Sequence, residues 1–166
     1  MSKPEKLWKG KRGVGDNLRL VLPVLVRDWF AAGRTAMTPG QPWEAMHRFR
    51  LLTKRFRYTL EIFQRAWGRG ISQRIDALRK IQTLLGEIND AVVTSGMLEG
   101  QPRTEQLRSR LAAGTARKVV ALHRLWATEF EPAEAEATWL RYLTLYACRV
   151  VTPKLTVEST NIPEST

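Results

Sequence analysis

His47, Arg50, Lys54 and Arg57 follow one another at spacings of three, four and three. At 100° per residue they share one helical stripe, while Phe49, Leu52, Phe56, Leu60 and Phe63 fall on the opposite face. A helix written this way has an apolar back and a cationic front, with a positive group about every 5 Å, one turn apart. That repeat suits a linear anionic polymer better than a compact metabolite. Arg48, Arg55 and Arg65 add charge nearby, and Glu61 is the one acid between His47 and Arg65. A face built for solubility alone would mix signs to gain pairs one turn apart, so this crowding points to an anion that neutralises it.

A second basic row follows downstream. Arg103, Arg110, Arg117 and Arg124 recur every seven residues beside Leu107, Leu111, Ala121 and Leu125, a slowly drifting stripe. We expect Arg110, Arg117 and Arg124, together with Arg55, to converge with the first row and widen it into a trough, although arginine stems also cover core edges.

The remaining polar groups offer little chemistry. His47 and His123 are the only histidines and Cys148 the only cysteine, too few for an imidazole–thiolate zinc cluster. Glu44-x-x-His47 is half of a di-iron motif, but Val120 stands where the second copy needs an acid, and His123 reads as a packing residue. Gln82 and Asn89 lie seven apart inside an apolar stripe, so burial would require partners for them, with the arginine heads of a neighbouring helix best suited. Glu87 and Asp90 read as salt-bridging support; the alternative is a carboxylate pair holding a divalent metal. There is no glycine-rich phosphate loop and no nucleophile elbow. We therefore expect binding without catalysis, with no cofactor and no metal.

These rows need helices to carry them, and the pattern predicts an all-α protein. Helices are expected over 17–32, kinked at Pro23 and stopped by Gly33; over 42–67; over 71–95; over 102–130; and over 133–151. Asp16 or Asn17 should cap the first. Residues 1–15 read as a mobile basic arm and 152–166 as a disordered tail. A chain of 166 residues suits one domain with a substantial core. A net charge of +11 and a pI near 10.5 imply an acidic partner such as a polyphosphate, a nucleic acid or an anionic surface. The lone cysteine and the absence of a secretory pattern lead us to expect a cytoplasmic protein. No membrane insertion is expected, since the apolar run 18–26 is short and broken by Arg19 and Pro23.

Two stretches resemble a known family. Ala45-Met46-His47-Arg48-Phe49-Arg50 with Thr53-Lys54-Arg55-Phe56-Arg57-Tyr58-Thr59-Leu60-Glu61, and then Leu78 to Ala91 carrying Leu85-Gly86-Glu87-Ile88-Asn89-Asp90, resemble the CHAD family of α-helical domains over roughly residues 17–130. The resemblance implies a helical domain that binds inorganic polyphosphate through basic side chains lining a groove, at or near polyphosphate granules. Carried over, it makes His47, Arg50, Lys54, Arg55 and Arg57 the binding residues, with Asn89 and Asp90 as structural support, the role that Gln82 takes from its place in the apolar stripe. Family members typically hold two four-helix repeats; this chain resembles the second repeat plus an additional C-terminal helix, so a homodimer is expected to supply the other half. Nucleic acid is the alternative partner, opposed by Phe49, Phe56 and Phe63 facing away from the stripe. A metal-dependent phosphate-polymer hydrolase using Asp90 and Glu87 is the second alternative.

Overall fold

The computed structural model describes residues 7–64 and 67–147. The helices are α1 (Val14–Met37), α2 (Trp43–Ile62), α3 (Ile71–Met97), α4 (Glu105–Glu129) and α5 (Ala135–Ala147), and no strand occurs among the described residues. α1 packs on α2 and α5, α2 on α3, and α3 on α4. The result is the expected all-α bundle with a fifth helix laid on α1. Residues 1–6 of the basic segment, Arg65, Cys148, the end of the last expected helix and the expected tail lie outside the described residues.

The core follows from helical periodicity. Leu18, Leu22, Leu25, Val26, Trp29 and Phe30 recur on one face of α1 and are at most 1% exposed. Trp29 is the hub. Its ring centroid lies 5.0–6.2 Å from those of Phe30, Phe49, Phe56, Trp126, Phe130 and Trp139, which draws α1, α2, α4 and α5 onto one side chain. Its indole N–H donates to Thr53 Oγ1 at 2.9 Å, and the Thr53 hydroxyl donates to the Phe49 carbonyl at 2.8 Å. These buried donors are therefore satisfied, which is the condition for keeping them in an apolar centre.

Several boundaries differ from the sequence reading, each for a tertiary reason. α1 runs on past Gly33, because that glycine accommodates an indole rather than ending the helix: a Cβ there would sit 2.1 Å from Trp126 Cη2. The helix is continuous across Pro23, whose ring forfeits the bond to the Arg19 carbonyl. Asn17 is not a cap. It is buried inside α1, where its Oδ1 accepts from the Lys9 N–H at 2.7 Å and its Nδ2 donates to the carbonyls of Lys9, Arg12 and Gly13 at 3.0, 3.0 and 3.2 Å. This ties residues 9–13 of the expected arm to the bundle. α2 stops at Ile62, and Trp67 folds back so that its indole N–H donates to the Leu60 carbonyl at 3.1 Å. Gly70, at φ 96°, then makes the turn into α3.

A candidate anion-binding edge between two helices

α2 buries Phe49, Thr53, Phe56 and Leu60, which turns His47, Arg50, Lys54 and Arg57 toward the side on which α3 lies. The contact between the two helices is polar at this edge. Arg57 Nε donates to Gln82 Oε1 at 2.7 Å, and Arg57 Nη1 donates to Glu61 Oε1 at 2.6 Å. Arg79 Nη2, from α3, reaches the same Glu61 oxygen at 3.0 Å and its Nη1 reaches Asp76 at 3.1 Å. Tyr58 completes the cluster, with the Arg57 guanidinium 4.3 Å and the Lys54 ammonium 5.8 Å from its ring centroid.

This arrangement divides the row. Arg57 is held: its side chain is 13% exposed, and two of its nitrogens are bound by Gln82 and Glu61. It contributes field and rigidity more than free donors. The expected arginine partner for Gln82 is thereby present. Arg50 is half-buried, and its Nε is enclosed without a hydrogen-bond partner among the described residues. Lys54 and His47 are exposed. The antiparallel pairing of Glu61 with Arg79 and Arg57 with Gln82, continued one turn, sets Gly86 level with Lys54 and Asn89 level with Arg50. A Cβ added at Gly86 would meet nothing within 4 Å, so the edge is open there. Asn89 Nδ2 donates to Asp90 Oδ1 at 3.4 Å, and Glu87 pairs instead with Lys118 of α4 at 3.1 Å.

The rest of the expected trough is not assembled. Arg55 lies on the other flank of α2, toward α1, in a pocket of about 290 Å³ with Trp8, Leu18, Val21, Thr59, Ile62 and Phe63. Arg110, Arg117 and Arg124 are all exposed. α4 buries Leu122 and Trp126, and Arg124 is about 200° round the helix from both, so the ladder faces away from the bundle. α3 packs against both α2 and α4, which keeps the two basic rows apart. His123 is half-buried, beside Trp126 and Met37, as a packing residue would be. Sequence reasoning missed Arg79, Tyr58 and Gly86. Tyr58 had a visible signal, four residues after Lys54; Arg79 and Gly86 could be recognised only once α3 was set beside α2.

No group of three or more His, Cys, Asp or Glu side chains among the described residues is placed to hold a metal ion. No described helix is long and apolar enough to cross a membrane. No curated protein and no solved structure matches the chain. The family model for the CHAD domain matches residues 4–99, which takes in α1, α2 and α3 and leaves α4 and α5 outside. That match covers more than half of the 166 residues and contains the whole α2–α3 edge, so the chain belongs to the CHAD family.

Proposed function

We propose that the protein binds inorganic polyphosphate, or a similar linear polyanion, along the α2–α3 edge, with Arg50, Lys54 and His47 as direct ligands and Arg57 as the braced charge behind them. The observation that carries this reading is Arg50. A charged donor enclosed without an acceptor costs about 1–3 kcal/mol or more, and a phosphoryl group lying along the edge from the open Gly86 position toward Asn89 would give the half-buried Arg50 guanidinium an anionic partner. Membership of the CHAD family supports polyphosphate as the polymer. The charge of +11 supports attraction to any polyanion.

Binding of this kind is driven by release of condensed counterions. By analogy with single-stranded nucleic acid, log affinity should fall against log salt with a slope of about 0.7 per phosphate contact. Arg50→Ala with Lys54→Ala should lower that slope by about 1.4; an unchanged slope would remove both residues from the ligand set. Against nucleic acid, the aromatic ring at the row is Tyr58, and the Arg57 guanidinium already lies 4.3 Å from its centroid. Polyphosphate should displace RNA at equal phosphate concentration. Glu87 is engaged by Lys118 and Asp90 by Asn89, which supports binding without cleavage. Polyphosphate should keep its length with magnesium or manganese, and shortening that disappears in Asp90→Ala would establish a hydrolase instead.

A further inference from the structure

α4 is under-buried for its composition. It has Leu122 and Trp126 as its buried residues, whereas α1 has a full buried face. α1 reaches α4 near its C-terminal end, where Gly33 faces Trp126, and the upstream half of α4 lies against the last turns of α3. Between these two helices runs an open groove of about 660 Å³, lined by Val92, Gly96, Leu111, Ala112, Ala116 and Val119. Val120 on its wall is 65% exposed. A pair of helices cannot bury its own inner face without a further layer.

We infer that this groove is the contact surface for a second copy of the chain, packed about a two-fold axis. The charges in it carry the choice of occupant. Glu99 and Arg108 both line the groove where α3 gives way to α4, and neither forms an ion pair among the described residues. Arg108 Nε is enclosed with no acceptor. A patch holding one unpaired acid and one unpaired base is complementary to its own image: under a two-fold axis each Glu99 meets the other copy's Arg108, and the pairing occurs twice. The groove lining is also electrically balanced, one acid against one base, so contact there sets no excess of like charge face to face between two chains of +11. Arg110, Arg117 and Arg124 lie on the far side of α4, and the Arg50 row lies on the α2 side of α3, so neither is covered by the contact.

Sedimentation velocity of the full chain at about 0.15 M salt, without polyphosphate, should show a concentration-dependent dimer. Glu99→Arg and Arg108→Glu should each weaken it about ten- to a hundredfold, by setting like charges face to face. Mixing the two single variants should restore dimers. In the mixed pair the two substituted positions again carry opposite charges, now exchanged between the chains, and the native pair of Glu99 with Arg108 re-forms at the second site. Circular dichroism should stay helical throughout, as Glu99 is exposed and Arg108 is half-buried at the groove, outside the core. A wild-type chain that is monomeric at every concentration, or variants whose mixture stays as weak as its components, would overturn the inference. Salt-dependent polyphosphate binding by the monomeric variants should persist, which keeps this result separate from the fate of the α2–α3 edge.

Discussion

The two basic rows of this protein look alike in one dimension and differ in three. On α2 the charges lie at the edge of a helix–helix contact, where Gln82, Glu61 and Tyr58 brace Arg57, Arg79 shares its Glu61 partner, and Arg50 is half-buried with its Nε enclosed. On α4, Arg110, Arg117 and Arg124 project from the face opposite Leu122 and Trp126 into open solvent. The comparison teaches that spacing locates a stripe but not its surroundings. A preorganised cation in a partly dry setting interacts strongly with an anion, whereas a freely moving surface arginine is screened and loses side-chain entropy on binding.

Breaking the scaffold beneath the braced row should have the largest effect. Trp29→Ala removes the ring shared by α1, α2, α4 and α5 and should cost about 3–5 kcal/mol in denaturant melts, taking polyphosphate binding with it as the fold is lost. Gly33→Ala forces a methyl group into Trp126 and should cost about 1–3 kcal/mol. At the row itself, Arg50→Ala with Lys54→Ala should reduce polyphosphate affinity about ten- to a hundredfold in titration calorimetry, with no loss of stability in the melt of the free protein, since the enclosed Arg50 donor is removed. Gln82→Ala, which frees Arg57 Nε, should destabilise the fold by about 1 kcal/mol and weaken binding severalfold. The smallest effect sharpens the comparison most: Arg110→Ala with Arg117→Ala removes the same charge as the Arg50 and Lys54 pair but should change affinity less than about threefold. Equal losses from the two double variants would show that net charge, and not the edge, sets affinity.

Gly33 and Gln82 show how far local pattern can be read. Gly33 reads locally as a helix stop because glycine after an apolar run usually is one, yet its absent side chain serves Trp126, far along the chain in a helix whose approach no local rule encodes. Gln82 inside an apolar stripe can be read correctly, since a buried amide must find a partner and arginines are the donors at hand. Arg57 is legible as a stripe member with Glu61 one turn on in the same helix, and not as a residue held from both sides, because its second acceptor, Gln82, comes from α3.

Local chemistry alone determined that the chain is helical, where most helices lie, which face of α2 is apolar, and that the whole carries a net charge of +11; periodicity and net charge are properties of neighbouring residues and of sums. Tertiary structure decided which basic row is braced, which points outward, and which apolar groove is left uncovered. Those outcomes depend on which helix lies beside which, and that is set by packing a single core around Trp29, where every element must fit at once.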